Sequence, residues 1–297
     1  MKNIYFALIL LFVSQTYAQI VVENNLYNPY QLVANSILGS GVSISNVKFN
    51  GVLQTPTGPV RDQVSSFTGG LSSNISFNQG VILTTGKTTV AQISATNTQV
   101  SGRSIVSDSP QIGDTDLQML VTQPVRNAAI LEFDFIPAFN SFSFDFLFAS
   151  NEYGEFQCIS NDTFAFILKD LTTGIETNLV VIPSSTNPVT VKSIRNAAYN
   201  PNCSSSNPGY FGIYNVSNPL VSSINMRGQT VVLSAFSSVI PNNPYKIRMV
   251  IADYGDADYD SAVFIGAGSF TTTFDLGLEK EICTGDSYIL NTGLDSS

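Results

Sequence analysis

The chain predicts an all-β protein: an antiparallel, jelly-roll-like β-sandwich with long loops and one short N-terminal helix. Three observations carry this. Helical periodicity is almost absent along the 297 residues, and short alternating or apolar runs recur between Gly, Pro, Asn and Ser clusters. Hydrophobic residues make up 43% of the chain, too many for disorder. Charged residues are only 12%, with Asn, Ser and Thr in their place, which suits neutral β surfaces better than Lys/Glu-rich helices.

In chain order, Lys2 followed by "IYFALILLFV" and "TYA" reads as a secretory signal over residues 1–18, with Ala18 the last residue removed. The apolar run is too short to span a bilayer, and no second one is long enough, so no membrane insertion is expected of the mature chain. "NPYQLVANSILG" is the one helix candidate: Asn28 can cap it, Pro29 suits its first turn and Gly39 can end it. "VSISNVKFNG" alternates from Val42 to Phe49, and "GVILTTG" is a short buried strand ending at Gly86. "AAILEFDFIP" and "NSFSFDFLFAS" alternate so that Phe133 and Phe135, then Phe142, Phe144, Phe146 and Phe148, share a core face. Pro137 and Asn140 mark the link between them. "DTFAFILKD" and "TNLVVIP" form a hairpin around "LTTG". "TVVLSAFSSV", "YKIRMVIAD" and "SAVFIGAGSF" give three further strands. Composition shifts near Phe274, dividing a sandwich over 19–274 from a linker and one new strand over 275–297.

Charge and missing residue types narrow the function. A net charge of −9 argues against nucleic acid, whose binding needs clustered Lys and Arg. The chain has no His, which removes Ser-His-Asp and Cys-His catalysis and His-ligated zinc, and no Trp for sugar stacking. Of three cysteines, Cys158 and Cys203 lie within the main body and are the favoured disulfide; Cys283 is left over.

Two acidic stretches stand out. "IADYGDADYDSAVF" sets Asp256, Asp258 and Asp260 at alternate positions, with Asp253 just before them. It is no EF-hand, because Ser261 and Ala267 stand where that loop needs Gly and Glu. In an extended segment the three carboxylates would share one face and repel, and calcium relieves such repulsion by accepting several hard oxygens. "FASNEYGEFQCISNDTFAF" adds Glu152, Glu155 and Asp162 with the amide oxygens of Asn151 and Asn161. If the two loops meet at one end of a sandwich, Glu152, Asp162, Asp256, Asp258 and Asp260 are the leading cation ligands, with Asn151, Asn161 and Asp253 secondary. The alternatives are two independent solvated loops, or a carboxylate pair such as Glu152 or Glu155 facing Asp260 at the ~5–9 Å spacing of glycoside hydrolysis. Tyr199, Tyr210 and Tyr214, in the loop around Cys203, are candidates for stacking on sugar rings or for local packing.

"FDFLFASNEYGEF" with Cys158 two residues on, "NDTFAFIL", "VVIPSSTNPVTV" and "QTVVLSAFSSVIPNNPYKIRMVIADYGDADYDSAVFIGAGSF" closely resemble the choice-of-anchor L domain. "GSGVSISNVKFNG", "SSFTGG", "ISFNQGVILTTG" and "DTDLQML" match its amino-terminal half in order, so the resemblance runs from about Tyr27 to Phe270. It implies a secreted, surface-attached β-rich domain of bacterial extracellular proteins, without an activity to carry over. In gliding bacteria that export through the type IX system such domains precede Ig-like repeats, and "CTGDSYILNTGLDSS" resembles the opening of one, with further C-terminal domains beyond. The family's FAS-E-E-Y pattern falls on Phe148 to Tyr153, with Asn151 in place of the first Glu. The expected function is a non-catalytic, secreted cell-surface adhesin or lectin-like module, its loops organised by Ca2+ and its partner an extracellular glycan or protein. A plain spacer domain is the alternative, and a two-carboxylate hydrolase the third.

Overall fold

The structure is a computed structural model that describes residues 19–37, 42–71, 75–92, 113–217, 222–268 and 271–273. The signal segment, Gly39, Cys283 and the expected Ig-like strand lie outside these residues. In order along the chain the strands are β1 (Val21–Glu23), β2 (Val42–Phe49), β3 (Val52–Leu53), β4 (Val64–Thr68), β5 (Gly80–Thr84), β6 (Val125–Pro137), β7 (Ser141–Ser150) and β8 (Thr163–Asp170). They continue with β9 (Glu176–Asn178), β10 (Phe211–Tyr214), β11 (Gly228–Thr230), β12 (Leu233–Ser238), β13 (Tyr245–Tyr254), β14 (Ser261–Gly266) and β15 (Thr271–Thr273). Two short α-helices, α1 (Pro29–Leu32) and α2 (Thr115–Leu120), complete the set.

Two antiparallel sheets pack as a sandwich. The first runs β1-β4-β5-β14-β7-β11-β10, with β12 and β15 also paired to β7; the second runs β3-β2-β6-β13-β8-β9. Alternation decides the core. Phe142, Phe144, Phe146 and Phe148 of β7 all face inward and are at most 1% exposed. They meet Phe164 and Phe166 of β8 across the gap, Phe144 stacking on Phe166 at 3.9 Å between ring centroids and Phe135 of β6 meeting Phe142 edge-on at 5.6 Å. The expected core face is the observed one.

β14 is buried at every position, because both faces of the first sheet are covered there. Val263 and Ile265 join the central core, while Ala262 and Phe264 join a second cluster with Phe67, Leu147, Ile224 and Met226. That is why its sequence reads as a continuous apolar run rather than an alternating one.

Several expectations need adjustment. Asn28 caps α1 as expected: its side-chain oxygen accepts from the Gln31 amide at 3.0 Å and the Gln31 side chain answers to the Asn28 amide, a complete capping box. The α-helix ends at Leu32, and Val33–Ile37 continues as a wider, π-type turn. Val33, Asn35 and Ser36 are weak helix formers, so packing rather than propensity shapes this turn. The expected strand over Thr230–Val239 is broken into β11 and β12, and at the break the Thr230 hydroxyl accepts the Phe148 amide at 3.1 Å. The strand after "LTTG" is only β9.

Helix α2 was not expected from periodicity. Asp114 caps it, accepting from the amides of Asp116 and Leu117 at 3.0 and 2.9 Å, and Leu117 docks on the outer face of the second sheet against Val250 and Ala165. Arg248, on that same face, pairs with Asp114 and Asp116 and lies 3.6 Å from Glu132. Arg248→Ala leaves the Asp114 carboxylate buried without its counter-charge. We expect a loss of about 1–3 kcal/mol, discounted for the partial exposure of Arg248. Urea unfolding measures the loss, with faster amide exchange confined to α2 as its local signature.

Candidate functional site

The two acidic stretches are arches between the sheets. β7 lies in the first sheet and β8 in the second, so residues 151–162 cross from one to the other; β13 and β14 are placed in reverse, so residues 255–260 cross back. Register puts both crossings at the same end: Ser261 pairs with Ser150, and Ala252 with Thr163. The loops therefore meet. The Asn151 amide donates to the Asp260 carbonyl at 3.2 Å, and the rings of Phe156 and Tyr259 stand 4.6 Å apart.

Strand parity carries acids inward. On β8 the core face holds Phe164, Phe166 and Leu168, and Asp162 is one step further on the same side. On β13 it holds Ile247, Met249 and Ile251, and Asp253 follows. Beyond Phe148 on β7 the same parity gives Ser150 and then Glu152. The core thus ends in a polar layer, and Glu152, Asp162, Asp253 and Asp260 are at most 2% exposed within it. Asp260 arrives by another route: Gly255 (φ +85°) and Tyr259 (φ +65°) turn the chain, and the arch never becomes extended.

Asp162 ties the arches together, its Oδ1 accepting from the Tyr254 amide at 2.9 Å and its Oδ2 from the Ser261 hydroxyl at 2.7 Å. Asp253 Oδ2 accepts from the Asn127 side-chain amide at 2.9 Å. Asp253 Oδ1, Glu152 Oε2 and the Tyr153 hydroxyl are buried without a hydrogen-bond partner. Burial, then the Asp162 charge, pushes Glu152 up to about 9 against a hydrogen bond from Ser160. Burial likewise raises Asp162 to about 7, against the Ser261 and Tyr254 hydrogen bonds and with the charges of Asp256 and Asp260 adding to it. Asp253 is raised well above the usual carboxylate range by burial and by the Asp162 charge.

The site differs from the expected one in membership. Asp256, Asp258 and Asp260 do not share a face: Asp256 is exposed, with its Oδ1 accepting the Asp258 amide at 3.0 Å, Asp258 is half-buried, and only Asp260 enters the interior. Asn151 and Asn161 have the opposite parity to their acidic neighbours and turn the other way. Asn151 binds Met226 Sδ and the Arg227 amide, at 3.1 and 3.0 Å, and Asn161 accepts the Lys192 amide at 3.2 Å. Asp253, ranked second from sequence, belongs to the centre of the cluster, and the alternation of β13 was the signal for it. Among the described residues no three His, Cys, Asp or Glu side chains already stand in a metal-binding arrangement.

The surroundings brace the arch. The Cys158–Cys203 disulfide is present, with a Cα–Cα distance of 5.5 Å. Asn200 donates to the carbonyls of Gly154 and Glu155 at 2.8 and 3.0 Å, and Gln157 to the Asn196 carbonyl at 2.9 Å. Tyr199 stacks on Tyr214 at 4.3 Å and lies 5.3 Å from Phe211; these rings and Tyr210 pack, half-buried, against the core. A Cβ at Gly154 (φ +80°) would stand 2.2 Å from the Tyr214 hydroxyl, so glycine is required where that ring wedges under the arch. Glu155 is exposed and pairs with Arg227 at 3.1 Å.

No helix among the described residues is long and apolar enough to cross a membrane. No curated protein and no solved structure matches the chain. The choice-of-anchor L domain matches residues 21–271, a span that holds both sheets and both acidic arches. The chain therefore belongs to the choice-of-anchor L domain family, typical of secreted or cell-surface bacterial proteins.

Proposed function

We propose that this is a non-catalytic adhesive module of a secreted cell-surface protein, in which calcium fastens the two inter-sheet arches and so fixes the rim they present. One observation carries the cation: four carboxylates lie sealed where the arches meet, and Glu152 and Asp253 each keep an oxygen without a partner. Two like charges about 4 Å apart repel by roughly 4 kcal/mol at an effective dielectric of 20, so such a cluster must be protonated or neutralised. The donors on offer are hard oxygens, which suit calcium, with its tolerance of irregular coordination, better than magnesium. The ion would draw Glu152 and Asp253 toward Asp162 and Asp260, with Asp256 and Asp258 left as outer acidic groups.

The same burial supports a non-catalytic reading, since a polymeric substrate has no path to Glu152 or Asp260. The ion is likewise sealed from sugar hydroxyls, so its role is to stiffen the rim rather than to bridge to a glycan.

The test is thermal unfolding of the purified protein in chelator and across a calcium titration, with Asp260→Asn alongside. Calcium is expected to raise the midpoint by the equivalent of about 2.7 kcal/mol at a hundredfold excess over its dissociation constant. Asp260→Asn should abolish that rise. A midpoint indifferent to calcium rejects the cation and favours the spacer reading.

A further inference from the structure

Of the three tyrosines that were candidates for stacking on a sugar, Tyr199 and Tyr214 stack on each other, Tyr199 also meets Phe211 and Tyr210 packs against the core, which raises the question of where an adhesive module would take its ligand. A concavity lies at the β1 edge of the first sheet. It measures about 250 Å³ and opens between β1, β4 and the start of β5, beneath the segment that carries α1. Ser66, Glu23, Gln79, Tyr27 and Asn35 are among the residues that line it. Ser66 is the register partner of Glu23 across β1 and β4. It is only 7% exposed, and its hydroxyl is buried with no hydrogen-bond partner. Buried hydroxyls are rarely left so, because an unmade hydrogen bond costs more than a made one gains.

We propose that this pocket binds one neutral sugar ring, the terminal residue of a glycan. This rests on the adhesive part of the proposed function and is independent of the cation. The lining mixes groups that donate and accept, in Ser66, Asn35, Gln79 and the Tyr27 phenol, with one carboxylate acceptor in Glu23. That inventory matches a polyhydroxylated ligand, each of whose hydroxyls does both. Among the described residues no cationic side chain lines the pocket, so these offer an anionic ligand no counter-charge. Tyr27, half-buried, offers apolar surface to the C–H face of a ring. The volume falls below the ~300–1,000 Å³ typical of pockets for drug-sized ligands, which limits the occupant to a single ring entering end-on.

The experiment is saturation-transfer NMR and calorimetry of the purified protein with glucose, galactose, mannose and N-acetylglucosamine, with retention on immobilised polysaccharide in parallel. At least one monosaccharide should bind, and Ser66→Ala and Tyr27→Ala should each weaken it about tenfold, the loss expected when one good polar or packing contact goes. Tyr199→Ala should leave binding unchanged. Ser66→Ala also controls for folding: its hydroxyl makes no bond within the protein, so its removal should not lower the unfolding midpoint. Binding that survives both pocket substitutions overturns the proposal. So does retention on polysaccharide without any monosaccharide binding, an outcome that leaves the adhesive reading standing. If neither sugar nor polysaccharide binds, pocket and glycan adhesion fall together, while the calcium titration still decides the cation.

Discussion

In chelator at alkaline pH, where the sealed carboxyls give up their protons, Glu152→Gln and Asp253→Asn each raise the unfolding midpoint; in saturating calcium the same two substitutions lower it. Without the ion each change removes a sealed negative charge from beside Asp162 and leaves a neutral amide of nearly the same shape. The gain should be a few degrees, the shift expected of about 1 kcal/mol in a domain of this size. With the ion each change removes a charged ligand, and at a thousandfold excess of calcium up to about 4 kcal/mol of linked stability is at stake. A purely structural role for the two acids gives the same sign in both buffers, and that result would sink the cation.

The pH dependence should invert in the same way. A carboxyl whose folded-state pKa lies above its unfolded value holds its proton more tightly when folded. The stability this confers is complete below the unfolded pKa and is lost as pH rises through the folded one. For Glu152 and Asp162, raised from 4.5 to about 9 and from 3.8 to about 7, the chelated protein should weaken steadily as the pH climbs from about 4 to about 9. In calcium the carboxylates are held ionised, so acid must expel the ion and stability should fall as the pH drops. Calorimetric midpoints in chelator and in calcium should therefore slope in opposite directions with pH. Parallel slopes would remove the cation from the site.

Replacing Cys158 and Cys203 together by serine should cost about 4 kcal/mol, the chain-entropy value for a closed loop spanning 45 residues. The larger consequence should be local. The bridge, Asn200 and Gln157 hold the first arch against the loop behind it. Without the bridge the arch keeps its hydrogen bonds to β13 and β14 but loses its covalent stop. Calcium affinity should fall more than the midpoint measured in chelator. Denaturant unfolding gives the global term and a calcium titration the local one. Unchanged calcium affinity in the serine variant would place the bridge outside the site's support.

The apolar skeleton was legible in the chain. Alternating phenylalanines named the core faces of β6 and β7, Asn28 and Pro29 marked the start of α1, and ordered motifs named the family. The short strands β1, β3, β4 and β10 were not, because they are completed by neighbours distant in sequence rather than by a pattern of their own. The acidic stretches were visible as chemistry and misread as geometry. Read as an extended D-x-D-x-D, the second promised three carboxylates on one face, whereas turns at Gly255 and Tyr259 admit only Asp260.

Composition and alternation by themselves determined a two-sheet β protein, with acids one step beyond the apolar run on β8 and β13 and two steps beyond it on β7. Tertiary structure decided that these ends coincide. Pairing of β7 with β14 and of β8 with β13 brings two arches, about a hundred residues apart along the chain, to one end of the sandwich. Each strand's side-chain direction is local and follows from a period of two. Which strands lie side by side is a property of the whole packing, and no single stretch of sequence contains it.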